Sequence, residues 1–315
     1  MGDALGAGVE GYTYEMIREM FVKTDGRALS YINATHMGVR KLGMRYGMYT
    51  DDTQTALALA TSLRGYPPTA QAVLKAIGQD GADYRKTGTI AFPDGSYANG
   101  GAMRIAPVGL AFRNASPAEL REAVRWAIVS SHVHAQAIDG AYLQALSVAM
   151  CTHMSAEQRD SFDPREYLET MRKAAATLPM KKRIKALVLK LDNVLAGKEV
   201  HDMVDVFDEI VEDDFQIKAV DAMAVVLWAV ARYWRDPADC IIRTVGFGGD
   251  TDTTAAMVGA IMGAMHGTSW MPKHWYDNLE NGDYGRDYCI RIARGLAALD
   301  LHQVKGQGEH AVEWV

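Results

Sequence analysis

Ala222-Met223-Ala224-Val225-Val226-Leu227-Trp228-Ala229-Val230-Ala231-Arg232-Tyr233-Trp234 is apolar at nearly every position. A helix that is apolar all round has no face to offer water, so this stretch predicts a central, buried helix. Helical periodicity continues on both sides of it. Residues 12–23 place Met16, Ile17, Met20 and Phe21 on one face, and residues 53–63 are rich in Ala and Leu. Ser116 precedes Pro117 and stands three residues before Glu119, which reads as an N-cap, an N1 proline and a capping box for a helix over 117–129. Apolar residues recur at helical spacing over 138–150, 164–178, 181–195, 203–211, 253–265 and 286–299. Few segments alternate with period two, so the fold class is all-α. No internal repeat is visible, and with nine prolines in 315 residues no Pro/Gly/Ser linker divides the chain. The expectation is a single compact multi-helix domain over residues 1–315.

The composition narrows the function. Apolar residues make up 49% and charged residues 23%, which excludes a disordered chain. The net charge of −6 argues against general nucleic-acid binding, which needs a basic face. Cys151, Cys240 and Cys289 are odd in number and form no CxxC pair, so a disulfide scaffold or zinc ribbon is not expected and a reducing, cytoplasmic setting is. No basic segment followed by an apolar one opens the chain, so no signal peptide is expected. The longest apolar run, 255–265, is too short to span a bilayer, which needs roughly 20 residues.

Two segments carry the chemistry: Thr50-Asp51-Asp52-Thr53, and Gly248-Gly249-Asp250-Thr251-Asp252-Thr253. Each joins two carboxylates to threonine hydroxyls and leads into an Ala-rich helix. Helix capping explains one acidic residue. It explains adjacent Asp51 and Asp52 poorly, because neighbouring carboxylates repel unless a cation lies between them. If the two helix starts converge, their oxygens make a site for hard cations such as Mg²⁺ or Mn²⁺. An EF-hand beginning at Asp250 fails, since its sixth and twelfth positions hold Ala255 and Ile261. The D-x-D-x-T string at Asp250 also suits haloacid-dehalogenase-like phosphatases, but those need alternating strands and helices. Asp94 to Arg104 contains three glycines among small polar residues, a loop whose N–H groups suit a diphosphate. Ser131-His132 lies between two helices, and Gly2 to Glu10 has an acid near each end.

Taken in order, G-D-A-L-G-x-x-x-E from Gly2, T-D-D-T from Thr50, N-G-x-x-M-R from Asn99, Ser131-His132 and G-G-D-T-D-T from Gly248 resemble the ADP-ribosylglycohydrolase family over most of the chain, from Gly2 to about Gly267. The resemblance implies an all-helical fold with a two-metal centre of Mg²⁺ or Mn²⁺. It implies hydrolysis of the glycosidic bond between ADP-ribose and a protein side chain or ADP-ribose polymer, the partner being the ADP-ribose moiety of a mono- or poly-ADP-ribosylated protein. Position by position, Thr50, Asp51 and Asp52 match one metal motif, and Asp250, Asp252 and Thr253 the other. Glu10 matches an acid at the scissile bond, here the first choice as catalytic acid/base. Gly95, Ser96, Tyr97, Asn99, Gly100 and Gly101 match the loop that holds the diphosphate and distal ribose. His132 matches a substrate-contacting histidine, and Phe92 an aromatic partner for adenine. Family members usually carry more helix before the G-D-A-L-G motif, and many carry an aromatic residue where this chain has Ala219. The alternative from another class is a non-catalytic ADP-ribose-binding or structural relative on the same fold. Such a relative would lose metal ligands or Glu10.

Overall fold

The computed structural model describes residues 1–23, 48–56, 68–79, 83–198 and 210–298, and the structure below is that of those residues. They form helices joined by short loops, with two isolated β-bridges and no sheet. Helices α1 (Gly2–Gly6) and α2 (Tyr14–Lys23) precede α3 (Asp51–Ala56) and α4 (Pro68–Ile77). A 3₁₀ turn at Tyr84–Thr89 leads to the short α5 (Gly100–Met103) and α6 (Ala106–Ala111). Then come α7 (Pro117–Ile128), α8 (Ala135–Thr152), α9 (Ala156–Asp160), α10 (Pro164–Ala174) and α11 (Leu178–Leu195). The chain closes with α12 (Ala219–Tyr233), α13 (Pro237–Gly246), α14 (Thr251–His266), α15 (Lys273–Asp277) and α16 (Arg286–Ala298).

The apolar stretch over 222–234 lies at the heart of the molecule. Every residue of α12 from Ala219 to Ala231 is buried. It packs against α8 and α14, which also pack against each other. Helices α5, α6 and α7 cover α8, while α10 and α11 cover α12. The buried apolar side chains form one cluster running from Ala4 to Trp275.

Helix α1 was not foreseen, because five residues carry too little periodicity to announce a helix. Its position depends on its glycines. A Cβ on Gly2 would stand 1.9 Å from the Ala255 carbonyl oxygen, and one on Gly6 would stand 2.2 Å from that of Thr251. Without those carbons α1 lies directly on the backbone of α14, where the Thr251 hydroxyl donates to the Gly6 carbonyl at 2.8 Å.

Several boundaries differ from expectation. The periodicity of 164–178 continues past the end of α10 at Ala174. The fully buried Asp139 ends the helix: its carboxylate accepts from the backbone N–H of Ala176 and of Thr177, both at 2.9 Å, and from the Thr177 hydroxyl. The capping box at Ser116 and Glu119 forms as read. Helices α4 and α13 were missed, although Asp236-Pro237 starts α13 with the same cap-plus-proline logic as Ser116-Pro117. On α2, which packs against α13, Ile17 of the expected apolar face is buried but Met16 is 47% exposed, and the side chains of Met20 and Phe21 lie outside the described residues. Most of the expected helix 203–211, and residues 57–63 of the one expected over 53–63, lie outside the described residues.

Candidate active site

The turn before α14 positions the second acidic segment. Gly248 and Gly249 take φ values of 80° and 75°, in the left-handed region where side chains are strained. This lets Gly249 pair with the segment after α1: its N–H donates to the Tyr12 carbonyl at 2.8 Å, and its carbonyl accepts from Gly11 at 2.7 Å. Glu10 is thereby held beside Asp250. The Asp250 N–H donates to the Phe215 carbonyl at 3.1 Å, and the Asn99 amide donates to the Asp250 carboxylate at 2.5 Å. That same amide donates to the Gln216 carbonyl at 3.1 Å. Asn99 therefore uses its N–H₂ to fix an acid.

The first acidic segment is held by Asp3, a residue missing from the expected site. Asp3 is 1% exposed. One carboxylate oxygen accepts from the N–H and hydroxyl of Thr50, and the other from those of Thr53. Asp3 thus caps α3 from another part of the chain. Its place in G-D-A-L-G was the available signal, but periodicity gave no reason to send it inward.

Asp51, Asp52, Asp250, Asp252, Glu10 and Thr253 line one cleft of about 300 Å³. Phe92, Ser96, Asn99, Gly100 and His132 line it too. So do Arg104, Phe215 and Ile217, which the sequence reading did not select. Thr50 is buried behind the wall, its hydroxyl shared between Asp3 and Asp52. Gly95 and Gly101 shape the loop from below: a Cβ would stand 2.4 Å from Val133 at Gly95 and 3.0 Å from Ile128 at Gly101. Tyr97 is not among the residues that line the cleft; it is 46% exposed, its ring T-shaped to that of His134.

The acids strain one another electrostatically. Burial, then the carboxylates of Asp250, Asp51 and Asp3, pushes Glu10 up to about 7. Burial and then Asp3 push Asp51 up to about 7, against a smaller opposing pull from Arg104. Burial dominates for Asp52, Asp250 and Asp252, which all rise above the ordinary carboxylate range. Two sets of oxygens converge, Asp3 with Asp52 and Asp252, and Glu10 with Asp250 and Asp252; within each set the oxygens lie within 4.8 Å of one another. Asp252 belongs to both. Buried, all-oxygen and strongly acidic, this donor set fits hard divalent cations. A haloacid-dehalogenase-like reading of Asp250 and Asp252 has no support, since no sheet occurs among the described residues.

Comparison with known proteins gives the family and the fold. The ADP-ribosylglycohydrolase family profile matches residues 1–306. The chain is 29% identical over 219 residues to zebrafish (Danio rerio) ADP-ribosylhydrolase ARH3, a match covering 63% of this chain and 57% of that protein. It thus spans little more than half the length of that relative. It is 27% identical over 300 residues to the ADP-ribosyl-[dinitrogen reductase] glycohydrolase of Rhodospirillum rubrum, covering 89% and 87%. Among solved structures, an ADP-ribosylglycohydrolase-related protein complex superposes with a TM-score of 0.58 at 24% identity, over 94% of this chain and 93% of that one, which speaks to the fold.

Proposed function

This chain belongs to the ADP-ribosylglycohydrolase family, and we propose that, acting as a single domain, it hydrolyses the glycosidic bond joining ADP-ribose to a modified protein side chain or to ADP-ribose polymer. The observation that carries this reading is the meeting of Glu10, Asp51, Asp52, Asp250 and Asp252 in one cleft with Ser96, Gly100 and His132. An acidic floor beside a glycine loop suits a substrate with ribose hydroxyls at one end and a diphosphate at the other.

Asp51, Asp52, Asp250, Asp252 and Thr253 would hold two divalent cations, Mg²⁺ or Mn²⁺, with Thr50 behind them orienting Asp52. When bound, such ions neutralise the carboxylates and lower the pKa of water. The residues of the chain do the rest. Glu10 stands beside the reacting centre, takes a proton from the attacking water and returns one to the leaving group. The surrounding carboxylates stabilise the positive charge that builds on the sugar as the bond breaks. N–H groups of the loop at Ser96 and Gly100, in a turn that Gly95 and Gly101 allow to pack closely, hold the diphosphate and ribose together with His132. Phe92, 47% exposed at the cleft, offers its ring to adenine. The free thiols of Cys151, Cys240 and Cys289 accord with a reducing, cytoplasmic setting. No helix among the described residues is long and apolar enough to cross a membrane.

The test is release of ADP-ribose from arginine-modified, serine-modified and polymer-modified proteins, with Mg²⁺ or Mn²⁺ present and with EDTA. Release from at least one, lost with EDTA, upholds the reading. Tight ADP-ribose binding with no release from any of them would favour a non-catalytic relative.

A further inference from the structure

We infer that Arg104 and Ser131 are positioning residues that lock His132 in one neutral tautomer, with its proton on Nε2 as a donor into the cleft. The inference rests on the proposed ADP-ribose site and adds how that site presents its histidine. Arg104 is anchored at one end, where its guanidinium donates to the Gly100 carbonyl at 2.9 Å. Its other nitrogen donates to the Ser131 hydroxyl oxygen. A guanidinium has donors only, so Ser131 must accept there, and the hydroxyl hydrogen has to go elsewhere. Two acceptors are in reach. His132 Nδ1 lies 2.8 Å away. The Ile128 carbonyl lies 3.4 Å away and already accepts the N–H groups of Ser131 and His132. The hydrogen is assigned to the shorter and otherwise unused acceptor, Nδ1, which leaves that nitrogen bare and puts the ring proton on Nε2.

The other ring nitrogen lies over the glycine loop, 3.2 Å from where a Cβ on Gly100 would stand, and no described residue bonds to it. His132 lines the cleft together with Gly100, Ser131 and Arg104. Burial, and then the charge of Arg104, hold its pKa down to about 3, so the ring stays neutral at every working pH. The site thus offers a ligand oxygen an uncharged, fixed N–H.

Nitrogen-15 NMR of the histidine-labelled protein without ligand tests the lock directly. A pyridine-like Nδ1 and a pyrrole-like Nε2 for His132 are expected. Ser131→Ala should give a mixed tautomer and bind ADP-ribose about tenfold more weakly by calorimetry, as for one lost oriented hydrogen bond. Ser131→Thr, which keeps the hydroxyl, should restore both. A wild-type proton on Nδ1, or a Ser131→Ala spectrum and affinity identical to wild type, would overturn the lock. Wild-type protein that fails to bind ADP-ribose would instead overturn the functional reading and the ligand half of this inference, while the spectra still decide the tautomer.

Discussion

Asp3 and Thr50, 47 residues apart, are joined twice through one oxygen: Asp3 Oδ1 accepts the backbone N–H of Thr50 at 2.8 Å and its hydroxyl at 2.9 Å. With the matching pair from Thr53, this places the start of α3 against α1 and aims Asp51 and Asp52 at the cleft. Asp3→Ala would leave two backbone N–H groups without their acceptor at a buried helix start. The expected cost is about 1–3 kcal/mol for each buried group left unsatisfied, with loss of Mn²⁺ binding. Denaturant melts and calorimetry with Mn²⁺ read the two effects. Unchanged Mn²⁺ affinity would show that α3 holds its place without Asp3.

Glu10 and Asp252 should separate chemistry from cation binding. Glu10→Gln keeps the volume and removes the charge. It is expected to retain ADP-ribose binding, and Mn²⁺ binding through the aspartates and the amide oxygen left at that position, while losing about 10²–10⁴-fold in turnover. Asp252→Ala, which removes the carboxylate common to both oxygen sets, should lose Mn²⁺ and turnover together. Near-normal turnover in Glu10→Gln would transfer the base role to a cation-bound aspartate.

The cation should stabilise the fold more as pH rises. Glu10 and Asp51 keep their protons up to about 7 in the fold, and Asp52, Asp250 and Asp252 are also raised, whereas unfolded carboxyls titrate near about 4. Between those values the cation-free folded chain binds more protons than the unfolded one, so its stability falls as pH increases. Bound Mg²⁺ or Mn²⁺ takes the deprotonated carboxylates and offsets the loss. The melting-temperature gap between Mn²⁺-loaded and EDTA-treated protein should therefore widen from pH 5 to pH 8. A constant gap would mean that the acids do not face one another as described.

Two glycines should respond with opposite signs to the same substitution. Gly6→Ala pushes a carbon to 2.2 Å from the Thr251 carbonyl oxygen and separates α1 from α14, at an expected cost of about 1–3 kcal/mol or more. Gly263→Ala adds a Cβ with nothing within 4 Å, in the interior of a helix where alanine is favoured by about 0.5–1 kcal/mol. Urea midpoints should fall for the first and hold or rise for the second.

Weakened ADP-ribose binding in Ser96→Ala, with an unchanged melting temperature, would tie the glycine loop to the substrate. Ser96 lies in the cleft lining, and among the described residues its hydroxyl accepts the Ala98 N–H at 3.2 Å, a local turn bond whose loss leaves the core untouched.

The sequence by itself determined the helical class, the burial of the apolar helix that it reads over 222–234, the cap at Ser116 and the two acidic segments, because each is written in neighbouring residues. Periodicity, cap chemistry and adjacent like charges are local properties that no partner has to complete. What tertiary structure decided is every relation between distant residues. The end of α10 at Ala174 depends on Asp139, which periodicity within 164–178 cannot know about. The inward turn of Asp3 depends on α1 lying against α14, a close approach that the glycines permit but do not announce. Asn99 reads as a loop residue suited to a diphosphate, yet its amide is committed to Asp250, 151 residues away. The tautomer of His132 rests on a guanidinium reaching Ser131 from across the loop. Carboxylate acidity and hydrogen-bond direction are set by what surrounds a group in space, and that is fixed only when α1, α3, α5 and α14 have met around one cleft.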